Sequence, residues 1–458
     1  MIAPKQDLFF ILLKQIPTEC ERVQRALSGR FMKPWRSELR GRRAFIAGLV
    51  LLVAVVGAKA GAEGRAARTL STEGLAKVSD YIRNEVATGK IPGAILLLQQ
   101  HGKPVYYENF GVRDVGTQIS MSVDTIFRLY SMSKSITSVV AMMLVEQGRL
   151  SLDDPVSKYI PAFADMKVGI ERKAADGKVS LVLEPQQRPI TIKDLLRHTA
   201  GLPYGFYGGG LVRELHAAAD LFNSDLSNAE FVAKIATLPL AEQPGTVWTY
   251  GFATDVLGRL VEVVSGKTLL QFAKERLLDP LGMSETAFYV ADPARFARIA
   301  EPMPGDRSIS PTTEVRDIRR PVRWESGGAG MVGTIGDYAR FAQMLLNGGT
   351  YEAHRYLKPE TIALMVSDHI GPETKIARDR MYYPGESSGF GLGFAVRTSV
   401  PPGTSWPLGE YRWDGVAGTF FFIDPEDDLF GIFMAQTPSQ RGRIQLELKT
   451  LIYQAMGR

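Results

Sequence analysis

Ser131-Met132-Ser133-Lys134 places a hydroxyl and an amine three positions apart, just ahead of an apolar run, TSVVAMMLVEQG (137–148). On a helix, positions i and i+3 share one face about one turn apart, so the Lys134 amine can reach the Ser131 hydroxyl. Unpartnered amides and the dipole at a helix N-terminus favour an alkoxide and a neutral amine. Lysine is a usable base near neutral pH only where burial or a neighbouring cation lowers its pKa. The chemistry within reach is nucleophilic attack by Ser131 assisted by Lys134. The bland alternative is a polar helix start with a solvated lysine. Ser133 and Ser135 compete poorly, because neither has a lysine three residues on.

Two more segments follow in order. PGTVWTYGF (244–252) puts Tyr250 on a loop before a helix, about 120 residues after Ser131. YRWDGVAGTFFFID (411–424) sets Trp413-Asp414-Gly415 ahead of a strand. Each also fits an aromatic packed into a turn. Gly385-Glu386-Ser387-Ser388-Gly389 matches the G-x-S-x-G nucleophile elbow, but that fold needs a helix after the serine and a histidine later in the chain. All five histidines (101, 198, 216, 354, 369) precede Ser387, and FGLGFAV after it is strand-like. His198, in LLRHTAGL, reads as structural, holding the turn beyond its helix. No metal-ligand pattern and no glycine-rich phosphate loop occurs, so neither a metal nor another cofactor is expected.

The elements that must position these groups can be drawn from periodicity. Residues 70–89 have helical spacing, and AILLLQQ (94–100) and PVYYENFG (104–111) read as a hairpin turning at His101-Gly102-Lys103. A helix opens at Ser131 and stops near Gly148. From about 150 to 340 the signals are mostly helical and loop-rich: 191–205 opens with Thr191 and Asp194 at capping-box spacing, and 228–238, 254–266, 269–282 and 336–349 carry the i, i+3/i+4 pattern. After 385, GLGFAVR (391–397), GTFFFIDPE (418–426) and LFGIFMAQ (429–436) read as strands, and 443–456 as a closing amphipathic helix. Strands at both ends with helices between predict an α+β fold: one antiparallel sheet built from both termini, flanking helices, and an inserted helical domain. The expected division is a leader over 1–62, a discontinuous sheet domain over 63–155 and 335–458, and a helical domain over 156–334, with the active site at their interface.

Charge separates the leader from the body. Residues 1–60 carry eleven Lys/Arg against four Asp/Glu, a net of +7, so the rest of the chain holds −2 of the total +5. The body therefore has no electrostatic footprint for nucleic acid. Arg40, Arg42 and Arg43 precede the 13-residue run FIAGLVLLVAVVG (45–57) and then AKAGAEG, the layout of an export signal, with cleavage after Ala60 or Ala62. The run is short for a spanning helix, which needs roughly 20 residues. GRRAFI (41–46) matches a twin-arginine signal, Met32 is a candidate start, and a periplasmic or secreted location follows. Any membrane contact would run through an uncleaved leader. The single cysteine, Cys20, lies in the leader, which excludes a cysteine nucleophile or thiolate metal site from the body.

The ordered set RLYSMSKSITS, ITIKDLLRHTAGLPYG, PGTVWTYGFATDVLGRLVEVVSG, LDPLGMSETAF, GGAGMVGTIGDYARFAQMLLNGG, GFGLGFAV and WDGVAGTFFFIDPE resembles the class C β-lactamase-like serine hydrolases, and within them the family VIII bacterial carboxylesterases, over residues 70–458. The resemblance implies a β-lactamase/transpeptidase-like fold. It makes Ser131 the nucleophile, Lys134 the base and Tyr250 a proton relay, with the backbone N–H groups of Ser131 and Val416 as the oxyanion hole. Tyr130, Phe252, Trp413, Asp414 and Gly415 are the expected substrate contacts.

Two departures bear on activity. Penicillin-processing relatives end the tyrosine motif in Asn, where this chain has Phe252, and open the third motif with Lys, where it has Trp413. Losing both polar anchors favours neutral, apolar acyl groups. Asp414 is expected to face away from the hole. The implied function is hydrolysis of small-molecule carboxylic esters through an acyl-enzyme. The alternatives are a β-lactamase or D-alanyl-D-alanine peptidase, an acyltransferase on the same fold, or a catalytically silent peptidoglycan-binding or sensor protein.

Overall fold

The computed structural model describes residues 68–458 apart from 311–312, 372, 377–383 and 386. The expected leader, with Cys20, Met32 and the cleavage positions, lies outside the described residues. Chain order begins with helix α1 (Thr72–Ala87), whose first turn is capped by the Ser71 hydroxyl accepting from the Gly74 N–H at 3.1 Å. Strands β1 (Gly93–Gln100) and β2 (Lys103–Asp114) form the expected hairpin. His101 and Gly102 both take positive φ (52° and 70°), the twist that a two-residue hairpin turn requires. β3 is Ile119–Ser120. The C-terminal part supplies β4 (Ser388–Phe390), β5 (Ala395–Arg397), β6 (Tyr411–Asp414), β7 (Phe420–Asp424) and β8 (Leu429–Ala435). Together these make an eight-stranded antiparallel sheet in the order β4-β5-β6-β7-β8-β1-β2-β3, which joins the two ends of the chain at β8–β1.

Both faces of the central strands are covered, which is why β1 and β8 read as continuous apolar runs rather than alternating ones. Leu96, Leu98, Phe420 and Phe422 point to one core, shared with Val78 and Ile82 of α1 and with Leu448 and Ile452 of helix α5 (Arg441–Ala455). Ile95, Leu97, Phe421 and Ile423 point to the other, packed with helices α2 (Ser133–Glu146) and α4 (Ile335–Leu346). That second core runs on without a break through Val256, Leu257 and Leu260 of helix α3 (Ala253–Ser265).

Three local features depart from the expected pattern. GLGFAVR is not one strand: Gly393 has φ 100°, and the chain folds there into the β4–β5 hairpin, with Phe390 paired to Ala395. The stretch from 150 to 340 is not solely helices and loops, because Lys167–Lys173 and Val179–Pro185 pair as an antiparallel hairpin. Much of that hairpin is exposed, including Val179, Val182 and Leu183, so little core burial marks it in the sequence. The 269–282 helix is also interrupted, passing from α-helix at Leu269–Ala273 to a π turn at Lys274–Leu278.

The sheet and α5 are tied by a buried charge cluster. Glu410 accepts from Lys449 Nζ at 2.6 Å, Tyr453 Oη at 2.9 Å, Arg397 at 3.2 Å and Arg412 at 3.3 Å. Burial alone would raise the Glu410 pKa, but Lys449, Arg412 and Arg397 hold it well below the carboxylate range. Removing the charge strands three buried cations, so Glu410→Gln is expected to destabilise the fold by about 3–5 kcal/mol in urea unfolding. A loss below about 1 kcal/mol would show that the cluster tolerates an unpaired cation.

Candidate active site

Ser131 does not sit in the α-helix proper. It occupies a 3₁₀ turn, Tyr130–Met132, and α2 begins at Ser133. The i, i+3 relation survives because side chains three apart eclipse in 3₁₀ geometry. The turn is entered through Tyr130 at φ 46°, a left-handed conformation that costs a non-glycine residue on the order of 1–3 kcal/mol. Surrounding bonds hold it there. Tyr130 Oη accepts from the Arg316 N–H at 3.0 Å, the Leu129 N–H donates to Met331 O at 3.0 Å, and Met132 O accepts from Tyr338 Oη at 3.2 Å. The competing serines are used in positioning: Ser133 Oγ accepts from the Met331 N–H at 3.0 Å, and Ser135 Oγ donates to Gly393 O at 3.2 Å.

Lys134 is fully buried, with Nζ 3.5 Å from Ser131 Oγ, 2.9 Å from Tyr204 Oη and 2.8 Å from Gly328 O. Burial lowers its pKa to about 7, against the opposing pull of Asp255 and Asp414. A neutral amine has two protons and one lone pair. The Gly328 carbonyl can only accept and Tyr204 can take the second proton, which turns the lone pair toward the Ser131 hydroxyl. Asp255 shapes this cradle. Its buried carboxylate accepts from Ser326 Oγ at 2.5 Å and the Gly328 N–H at 3.1 Å. A Cβ on Gly328 would come within 2.4 Å of Asp255 Oδ2, so the close approach needs glycine.

Tyr250 is buried beside the lysine, its ring centroid 4.6 Å from Nζ. Its hydroxyl accepts from Trp413 Nε1 at 3.1 Å. The tyrosine that bonds the lysine is Tyr204, which sequence reasoning passed over within the segment HTAGLPYG. Two bonds tie the loops of the two tyrosines together: the Phe252 N–H donates to Leu202 O at 3.0 Å, and the Tyr207 side-chain Oη donates to Tyr250 O at 3.0 Å. A Cβ on Gly251 would meet Leu202 O at 1.9 Å, so only glycine fits between the tyrosine and Phe252. His198 is buried with its ring 5.0 Å from Tyr250. Burial and Lys134 hold its pKa well below the usual imidazole value, and its carbonyl accepts from the Thr249 N–H at 2.8 Å.

These groups meet at a cleft of about 960 Å³ measured to its open mouth. Ser131, Tyr130, Tyr204, Tyr250 and Val416 line it, with an aromatic wall of Phe206, Phe222 and Trp324. Four expected substrate contacts do not line it. Phe252 is buried behind Tyr204, 4.5 Å between ring centroids. Trp413 directs its indole N–H to Tyr250, so it supports the cleft wall from behind. Asp414 pairs with Arg441 at 3.6 Å and still acts on the Lys134 charge from outside the cleft. Gly415 packs where a Cβ would lie 2.4 Å from Leu129 O, and this approach brings Val416 alongside the Ser131 turn. In the G-x-S-x-G segment, Ser387 has φ 62° and leads directly into β4, so the helix that an elbow requires is absent.

The sequence matches the family described as Beta-lactamase over residues 78–454. The chain belongs to the beta-lactamase family. Within it, Protein Rv1367c of Mycobacterium tuberculosis (strain ATCC 25618 / H37Rv) is 35% identical over 365 residues, covering 78% of this chain and 88% of its own. Esterase EstB of Burkholderia gladioli is 29% identical over 390 residues, covering 80% and 91%. The solved structure of EstCE1, described as a hydrolase with promiscuous acyltransferase activity, superposes with a TM-score of 0.67 at 28% identity, covering 83% of this chain and 99% of that one. The α+β fold with its antiparallel sheet is that of the beta-lactamase family.

Within this beta-lactamase-family cleft, a neutral Lys134 is the state that can take a proton from Ser131. The rate of fluorophosphonate labelling at Ser131 is therefore expected to rise with pH through about 7. Asp255→Asn removes a carboxylate that holds the Lys134 pKa up, so the rising limb should move to lower pH. An unmoved limb would assign the titration to another group.

Proposed function

We propose that this protein is an exported serine carboxylesterase that cleaves esters of small to medium apolar acyl groups through an acyl-enzyme. The observation that carries the reading is Lys134: a buried amine with a pKa near 7, within 3.5 Å of the Oγ of Ser131, which lines an aromatic-walled cleft. In this reaction Ser131 Oγ attacks the ester carbonyl while its proton passes to Lys134 Nζ. The Ser131 and Val416 N–H groups stabilise the tetrahedral oxyanion, a contribution of about 10²–10³ per donor in rate. Tyr250 passes a proton to the leaving alcohol and later helps water attack the acyl-enzyme, while Tyr204 holds the lysine in line. The basic, apolar leader supports export.

Phe252 and Trp413, in place of an amide and a cation, speak against β-lactam specificity, and the esterase relative EstB supports the ester reading. A second reading is acyl transfer to an alcohol, favoured by the aromatic wall, which limits water at the acyl-enzyme, and by the similarity to EstCE1.

Ser131→Ala is expected to reduce p-nitrophenyl butyrate hydrolysis by about 10³-fold or more and to abolish fluorophosphonate labelling while thermal unfolding is retained. Unchanged turnover in that variant would refute the assignment. Product analysis with added alcohols separates hydrolysis from transfer, and nitrocefin turnover rivalling ester turnover would favour the lactamase reading.

A further inference from the structure

Among the described residues that line the cleft, Arg316 is the one cation and Glu314 the one carboxylate. Glu314 is exposed, whereas Arg316 is half-buried. The Arg316 guanidinium is held through a single nitrogen: Nη2 donates to Gly330 O at 2.7 Å and to Phe288 O at 3.1 Å. No carboxylate among the described residues pairs with it; besides burial, Tyr130 pulls its pKa up and Arg128 pushes it down. Neighbouring arginines are served differently, since Arg128 and Arg319 both pair with Glu301. Arg316 thus lines an apolar cleft with no carboxylate partner among the described residues, and only its Nη2 is engaged by protein acceptors there. Desolvation lowers its pKa to about 10, so it stays charged at neutral pH. A half-buried guanidinium without a carboxylate partner can accept an anion, and its planar fork matches a carboxylate.

Arg316 is also coupled to the nucleophile. Its backbone N–H donates to Tyr130 Oη, next to Ser131, and its carbonyl accepts from Arg128 Nε at 2.6 Å. The guanidinium is thus held at a set place relative to the reacting hydroxyl. The two polar anchors lost at Phe252 and Trp413 do not leave the cleft without charge recognition; a cation enters it from a different segment.

We propose that Arg316 is a specificity-determining residue that binds a carboxylate carried by the ester substrate, away from the scissile bond. This rests on the esterase reading above and narrows its substrate class to esters bearing one carboxylate, on the alcohol or on the acyl part. The aromatic wall takes the apolar portion and Arg316 the anionic end.

Paired substrates test it on the full-length protein. 3-(Butyryloxy)benzoate is compared with 3-methylphenyl butyrate, and 4-nitrophenyl hydrogen glutarate with 4-nitrophenyl pentanoate. In at least one pair the carboxylated ester is expected to have the higher kcat/KM, and which pair shows it locates the anion on the alcohol or the acyl side. Arg316→Gln should lower that ratio by about 10–100-fold, with Arg316→Lys recovering part of it. A purely structural role would depress both members of a pair and leave the ratio alone. No preference in either pair, or a ratio untouched by Arg316→Gln, overturns the proposal. Should the variant fail to fold, the wild type still decides. In calorimetry 3-hydroxybenzoate should bind more tightly than 3-methylphenol, or glutarate monoamide more tightly than pentanamide, and equal affinities within both pairs overturn the proposal. That binding measurement needs no turnover, so it separates failure of the carboxylate site from failure of the esterase reading.

Discussion

The site depends on taking the Lys134 amine out of water. A solvated lysine holds its proton far above neutral pH and cannot accept one from a serine. Burial lowers the pKa to about 7, and the remaining hydrogen-bonding capacity is met by Gly328 O and Tyr204 Oη. The same burial raises the pKa of Asp255, so both members of this buried pair are pushed toward their neutral forms. The aromatic packing of Tyr204, Tyr250, Phe252 and Trp413 around the lysine excludes the water that would undo this arrangement. The carbonyl of Gly328 then decides where the amine points.

Holding that amine beside the serine requires several backbones to approach more closely than side chains allow. Gly251 lets the two tyrosine loops meet, Gly328 lets its loop lie on Asp255, and Gly415 lets the turn carrying Val416 lie on Leu129. Tyr130 adopts the left-handed region as part of the same fit, and the bonds from Arg316 and Met331 oppose its strain. Four separated segments thereby bring a hydroxyl with its amine, two phenols and an amide together at one cleft. Behind it, the Glu410 cluster joins β5 and β6 to α5 and stiffens the strand that carries Trp413 and leads to Val416.

Much of the fold was legible because its signals are local. The β1–β2 hairpin, the capping box at Thr191 and Asp194, the helices α3 to α5 and the phenylalanine-rich strand β7 all follow from period, caps and turn residues. Where burial did not shape the sequence, as in the exposed hairpin at 167–185, the pattern was silent. Where one glycine reverses the chain, as at Gly393, a hairpin looked like a strand. In the site, the spacing of Ser131 and Lys134 suited a nucleophile and its base but suited a polar helix start as well, so their roles, like those of Tyr250 and Val416, needed resemblance. Tyr204, Asp255 and Arg316 carried no signal, since a lone tyrosine, aspartate or arginine in a loop or helix has many ordinary uses.

The amino-acid sequence by itself determined which segments become helices and strands, which faces are apolar, and that a serine and a lysine stand one turn apart. Those properties depend on neighbours a few residues away. Only the tertiary structure decided that Lys134 is dry, that Tyr204 bonds its amine, that Trp413 stands behind the cleft, and that Arg316 lines it with no carboxylate partner among the described residues. Each of those depends on desolvation and hydrogen-bond direction among groups tens to hundreds of residues apart, and such distances are set by packing rather than by the order of the chain.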